Sequence, residues 1–68
     1  MKTFFLYTDS FGLREYFAGK KDGTNVFTSN ISDAQEFKTE PAAIRTGRDL
    51  GKEPALVAAV WRVLVQDG

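Results

Sequence analysis

The chain has 68 residues, 43% of them apolar and 26% charged, and its nine basic side chains balance nine acidic ones. A domain of this size buries only about 60% of the surface that its unfolded chain exposes, so we expect marginal stability. Neither cysteine nor histidine is present, which excludes Ser–His and Cys–His catalytic dyads and the common zinc sites within the chain. We therefore expect one domain, residues 1–68, that is not an enzyme and uses no cofactor or metal.

Three strands are predicted in the first half of the chain. Residues 3–8, 14–19 and 24–29 are rich in the aromatic and β-branched residues that strands favour. The connection Asp9–Gly12 has turn composition, and Asp22–Gly23 is the dipeptide most typical of a two-residue hairpin. The first half is thus expected to form a three-stranded antiparallel meander.

A short helical turn and one longer helix are predicted next. Ser32 followed by Gln35 matches a capping box, which would start a turn over residues 33–37. Thr39 is the expected N-cap of a helix that ends near Leu50, because a threonine hydroxyl can accept a hydrogen bond from the first turn.

The predicted helix carries a narrow apolar stripe with a glycine inside it. The stripe consists of Ala43, Ile44, Gly47, Leu50 and Gly51. Gly47 costs about 1 kcal/mol of helix stability relative to alanine, so we expect it to permit a close approach of helix and sheet. Gly51 is the expected residue just after the helix.

The last part of the chain favours a strand over residues 57–65, with a helix from Pro54 to about Gln66 as the alternative. In the strand, Trp61 alternates with Arg62 and should lie largely buried against the helix stripe. The predicted fold is α+β: a three-stranded antiparallel meander, one main helix packed on the sheet and a returning C-terminal strand.

Three segments together resemble a pattern found in small bacterial and prophage proteins of unknown function. They are Glu15–Gly19, the run from Phe27 through Phe37 to Ala43, and Val60–Val63. The resemblance implies a ββ(β)αβ fold and no enzymatic activity. Small phage proteins include anti-CRISPR and other anti-defence inhibitors, so the resemblance also implies a chain that binds a host protein.

A candidate interaction face follows from strand alternation. One helix can cover only one face of a four-stranded sheet, whereas both faces of these strands carry apolar side chains. The face turned away from the helix is expected to carry Phe5, Tyr7, Phe17, Val60, Arg62 and Leu64. It would bind a protein partner or a second copy of the chain. In the alternative interpretation, the 33–37 turn and the C-terminal segment cover this face and make it part of the core.

Nucleic-acid binding stays open as a further alternative, because an aromatic sheet face with a nearby arginine can stack bases and a weak basic stripe on the helix could follow a phosphate backbone. Arg45, Arg48 and Lys52 share one face of the predicted helix, but acidic residues alternate with them and the net charge is zero. The apolar run near the N-terminus ends at Asp9 and is too short for a signal peptide. We therefore expect a cytoplasmic protein with no membrane partner.

Overall fold

The computed structural model describes all 68 residues as four strands and one α-helix. The strands are β1 (Lys2–Thr8), β2 (Glu15–Lys21), β3 (Thr24–Thr28) and β4 (Arg62–Asp67), and the helix is α1 (Glu40–Leu50). The strands form one antiparallel sheet in the order β3-β2-β1-β4, and α1 packs on one face of it. The predicted α+β fold is confirmed. No helix has the length and apolar character needed to cross a bilayer.

The β2–β3 hairpin turns at the predicted dipeptide. Asp22 has φ 54° and Gly23 has φ 78°, and Lys21 pairs with Thr24 on either side of them. Positive φ at both central residues is the geometry of a type I′ turn, whose twist matches that of the flanking strands. This prediction is confirmed.

A β-bulge interrupts the same hairpin at Gly19. Phe17 pairs with Phe27, but the next pair joins Lys20 to Asn25, so β2 contains one more residue than β3 between the two pairs. Gly19 has φ +100°, a conformation that other residues rarely adopt. The glycine therefore allows β2 to absorb the extra residue.

The helix starts where its cap predicts. The Thr39 hydroxyl accepts a hydrogen bond from the Ala42 amide at 3.3 Å, and α1 runs from there to Leu50. Gly51 follows the helix as predicted, but its φ of −65° is right-handed. The residue therefore does not use the positive φ that makes glycine common at this position.

The returning strand begins five residues later than predicted. Residues 54–56 form a 3₁₀ turn that starts at Pro54, and the amide of Ala59 donates to the carbonyl of Leu56. The alanine-rich segment thus makes two successive turns, and extended pairing begins only at Arg62. The alternative helix from Pro54 to Gln66 is wrong.

The predicted turn over residues 33–37 is also wrong in its position. The side chain of Asn30 accepts hydrogen bonds from both the amide and the hydroxyl of Ser32, and the short 3₁₀ turn spans Ile31–Asp33. Asn30 therefore acts as the cap that the sequence assigned to Ser32. Starting the turn two residues earlier leaves residues 35–37 free to extend.

The extended residues 35–37 fill a gap between the two central strands. The Gln35 amide bonds to the Phe17 carbonyl of β2 at 2.9 Å. Phe37 exchanges two hydrogen bonds with Phe4 of β1, at 2.8 and 3.0 Å. We call residues 35–37 the wedge, because they supply backbone partners to both β1 and β2.

The strand pairing shows why the gap exists. β1 pairs with β4 along its length, from Lys2 with Asp67 to Tyr7 with Arg62. In contrast, β1 and β2 pair only at Tyr7 with Tyr16 and at Thr8 with Glu15. The two central strands therefore separate beyond that point, and the wedge completes the sheet.

The core lies between α1 and the sheet. Its buried centre consists of Leu6, Phe17, Phe37, Ala43 and Leu50, and Phe4, Phe27, Ala42, Leu56, Trp61 and Val63 pack around it. The rings of Phe17 and Phe37 stack at 6.4 Å, and those of Phe27 and Trp61 at 5.5 Å. Trp61 lies beside the helix as predicted, but it is half-buried rather than largely buried.

Gly47 provides the close helix–sheet contact that the sequence predicts. A Cβ at this position would lie 3.2 Å from Leu6 Cδ1 and 3.3 Å from Trp61 Cβ. Gly47→Ala should therefore lower the free energy of unfolding by about 1 kcal/mol, because overpacking outweighs the gain in helix propensity. Urea titration followed by circular dichroism measures the change.

The matched control is Gly51→Ala. Its φ is right-handed, and a Cβ there would meet only ordinary contacts, the nearest being the Arg48 carbonyl at 3.4 Å. This substitution should raise stability by about 0.4–1 kcal/mol. Equal stabilisation by the two alanines would mean that the helix does not press on the sheet at Gly47.

Candidate functional site

The strand register divides the predicted interaction face. We call the sheet face turned away from α1 the far face. Because Tyr7 pairs with Tyr16 and antiparallel partners share a face, Tyr16 lies on the far face and Phe17 on the helix side. Phe17 is 4% exposed and belongs to the core. Its assignment to the interaction face was wrong.

Another part of the far face is covered from within the chain. Phe5 is only 5% exposed and borders a shallow depression with Ile31, Ala34 and Gln66. The connection after β3 therefore shields this end of the face, as the alternative interpretation proposed. Leu64, the β4 partner of Phe5, is half-buried.

The rest of the predicted face remains accessible. Val60 and Arg62 are exposed, and Tyr7 is half-buried. These three residues line a depression together with Asp9 and Ser10 of the β1–β2 connection. The accessible surface therefore lies at the end of the sheet where β1 finishes and β4 starts.

Arg14 organises this end of the far face. Its guanidinium makes a bidentate ion pair with Asp9, with Nε–Oδ1 at 3.0 Å and Nη2–Oδ2 at 3.1 Å. The same guanidinium lies 4.2 Å from the centre of the Tyr7 ring, and the Tyr7 and Tyr16 rings are 6.2 Å apart. Planar contacts of this kind fix an arginine more firmly than a single ion pair does.

The charges of this cluster do not balance. The hydrogen bonds from Arg14, reinforced by its charge and that of Arg62, hold the pKa of Asp9 below its usual value of 3.8. The ion pair likewise raises the pKa of Arg14. Asp9 is engaged by Arg14, whereas Arg62 has no carboxylate within ion-pair distance. On this surface one carboxylate therefore faces two guanidinium groups.

The two connections that meet near this cluster, β1–β2 and α1–β4, carry exposed apolar side chains. The exposed side chains are Phe11 at 50%, Leu13 at 75%, Val57 at 70% and Val60 at 58%. The Val60 amide donates to the Ser10 hydroxyl at 2.9 Å, which holds the two loops together. We call these four residues, with Arg62, the loop-end surface.

Most of this surface escaped the sequence analysis. Of its members only Val60 and Arg62 were predicted for the interaction face, whereas Phe11 and Leu13 fell in the predicted β1–β2 connection and Val57 began the predicted strand 57–65. A signal was present, because two large apolar residues in the Asp9–Arg14 turn have no core to enter. The opposite charges at the ends of that turn also suited an ion pair across it.

The basic stripe is less continuous than the sequence suggests. Arg45, Arg48 and Lys52 are all exposed. The Lys52 ammonium pairs with the Asp49 carboxylate at 3.7 Å. A carboxylate therefore lies within the stripe.

In comparisons with family models, curated proteins and solved structures, nothing matches this chain. The resemblance to small prophage proteins stays a prediction. No group of three or more carboxylate side chains is close enough to hold a metal ion.

The Asp9–Arg14 pair predicts a pH dependence with a definite sign. The pKa of Asp9 is depressed in the folded protein, so its contribution to stability is present above the unfolded value of 3.8 and is lost as the pH falls below it. Side-chain NMR titration should give Asp9 a pKa below 3.8 in the wild type and a higher pKa in Arg14→Gln. An unchanged Asp9 pKa in the variant would contradict the pairing.

Proposed function

We propose that this protein is a small non-enzymatic module that binds another protein through the loop-end surface. One observation carries the proposal: two loops tied by a hydrogen bond expose large apolar side chains, and one of these, Val60, lines a depression with an arginine that has no carboxylate partner. Monomeric proteins seldom expose clustered large apolar residues without a function. Arginine and aromatic residues are also the types most enriched at binding hot spots.

The charges of the surface indicate the chemistry of the partner. Arg62 can form an ion pair with a carboxylate from outside the chain, because Asp9 is already paired with Arg14. We infer a partner whose contact region combines apolar side chains with an aspartate or glutamate. Arg14 is fixed by Asp9 and Tyr7 before binding, so the partner would not have to immobilise it.

Nucleic-acid binding through the sheet has less support. Stacking a base requires an aromatic ring with an open face. Phe5 and Tyr16 are buried, and the Arg14 guanidinium lies over the Tyr7 ring. These contacts leave the far face without a free stacking platform.

The test is partner capture by wild-type and substituted protein from an extract of the cells that express it. Leu13→Asp should leave the circular dichroism spectrum unchanged, since the side chain is 75% exposed, and should reduce capture at least tenfold. Val26→Asp is the matched control, because Val26 is exposed on β3, outside the loop-end surface. Nuclease treatment should not release the captured material.

Three results would overturn the proposal. Leu13→Asp and Val26→Asp could reduce capture equally, which would make the loop-end surface irrelevant. Nuclease could remove the captured material, which would favour the basic stripe. Leu13→Asp could also capture as much partner as the wild type.

A further inference from the structure

We propose that two copies of this chain pair antiparallel through the free edges of their β4 strands, which joins their sheets into one of eight strands. This inference concerns the backbone edge of β4, which shares only Arg62 with the loop-end surface. The carrying observation is the edge position of β4, which pairs with β1 on one side and with no strand on the other.

The backbone groups available at this edge can be identified from the pairing of β1. Phe4 uses both its amide and its carbonyl for Phe37, on the side away from β4. Phe4 and its β4 partner Val65 are therefore not hydrogen-bonded to each other, and Val65 directs its own amide and carbonyl to the free edge. By alternation Val63 does the same. The bond from the Gly68 amide to the Met1 carbonyl agrees with this alternation, because Met1 and Gly68 fall on a hydrogen-bonded pair.

One register makes the two edges self-complementary. A two-fold axis at Leu64 places Val63 opposite Val65 of the second copy, and Arg62 opposite its Gln66. The two valine pairs then exchange four backbone hydrogen bonds, because these residues carry the outward groups. An axis at Val65 would instead oppose Val63 to Asp67, and an axis at Val63 would oppose Arg62 to Leu64. Within residues 62–66, only the Leu64 register joins apolar to apolar and polar to polar.

The side chains beside this edge also favour a second copy. Val65 is 41% exposed, and Ile44 of α1 is 44% exposed and borders the same depression as Val63. A two-fold axis perpendicular to the sheet puts both helices on the same side of the joined sheet. The exposed Val65 and Ile44 side chains of one copy then meet those of the other. The chain has no net charge to oppose the association.

The middle of this edge lacks the features that normally prevent such pairing, and the two charged residues, Arg62 and Asp67, lie at its ends. Strand β4 contains no proline and no bulge, and its central residues are valine and leucine. The opposite edge, β3, has only five residues and pairs across the bulge at Gly19. Bulges increase local twist and discourage edge pairing. Pairing is therefore assigned to β4.

Sedimentation equilibrium measures the association directly. The wild type should shift from 7.6 kDa to twice that mass as its concentration rises toward about 1 mM. Val65→Pro removes an outward amide and should remain monomeric, whereas Val65→Thr keeps the amide and should still associate. A wild type that stays monomeric over this range would overturn the proposal, as would a dimeric Val65→Pro variant.

Cysteine crosslinking tests the register and does not depend on the proline variant folding. Because the chain has no cysteine, Leu64→Cys introduces a single thiol that faces its own copy in a non-hydrogen-bonded pair, with Cα atoms about 4.5 Å apart. Mild oxidation should convert most of Leu64→Cys to a covalent dimer and little of Gln66→Cys or Val26→Cys. Equal crosslinking of the three variants would overturn the register.

The two proposals fail independently. Leu13→Asp, which should abolish partner capture, lies outside β4 and should leave the sedimentation behaviour unchanged. Val65→Pro should lose association and retain partner capture. Loss of both properties in either variant would show that one surface serves both purposes, and would overturn the separate assignment made here.

Discussion

Phe37→Ala should remove a large part, or all, of the stability of the protein. Phe37 is 7% exposed, stacks on Phe17 and holds the wedge against β1. Truncating a buried phenylalanine costs about 3–5 kcal/mol. A domain of this size has a total stability of only about 3–10 kcal/mol. Circular dichroism in a urea titration should show a transition shifted strongly to low urea, or no native baseline.

The control for this substitution is the same change at Phe11. The Phe11 side chain is half exposed and lies outside the core, so Phe11→Ala should change stability by less than about 0.5 kcal/mol. If the two phenylalanines proved equally costly to remove, the wedge would not be the element that joins the central strands.

Trp61→Ala should be nearly as damaging, at about 3–4 kcal/mol. The Trp61 ring stacks on Phe27 of β3 with the ring centres 5.5 Å apart, and the Trp61 Cβ lies beside Gly47 of α1. Since Trp61 directly precedes β4, it joins both edges of the sheet to the helix. Because this is the single tryptophan, unfolding of the variant is followed by circular dichroism.

Trp61→Phe separates the contribution of aromatic stacking to stability from that of the indole N–H group. The indole Nε1 is buried without a hydrogen-bond partner, which costs free energy in the wild type. Phenylalanine keeps an aromatic ring for stacking and removes that unpaired donor, so the loss should be only about 1 kcal/mol. If Trp61→Phe were as destabilising as Trp61→Ala, the stacking contribution assigned to the ring would be wrong.

The elements with strong local signals were predictable from the sequence. Asp22–Gly23 required a type I′ turn and Thr39 a helix start, and both were found where expected. The helix contact at Gly47 was predictable because a glycine inside an apolar helix stripe costs helix stability and therefore indicates close packing. Each of these signals depends on neighbouring residues alone.

The predictions that failed depended on contacts between distant residues. The wedge forms because Phe37 finds backbone partners in Phe4, and no pattern within residues 33–37 indicates this. The side of Phe17 was misassigned because a single residue of register across the β1–β2 connection reverses every side chain of a strand. The candidate site also moved because the connection after β3 covers Phe5, a contact between residues distant in the sequence.

The pairing of the first strand with the last determines the order in which the chain can fold. The β2–β3 hairpin closes over a two-residue turn, whereas β1 meets β4 only after nearly the whole chain has been gathered. Distant closures of this kind carry the largest entropic barrier and slow folding. Until β4 docks, the β1 segment Phe4–Leu6 has one bare edge and can recruit the wrong strand. Fast dilution out of denaturant separates the chains before the bare edge of one chain can pair with a strand of another. It should therefore favour the native protein over aggregates.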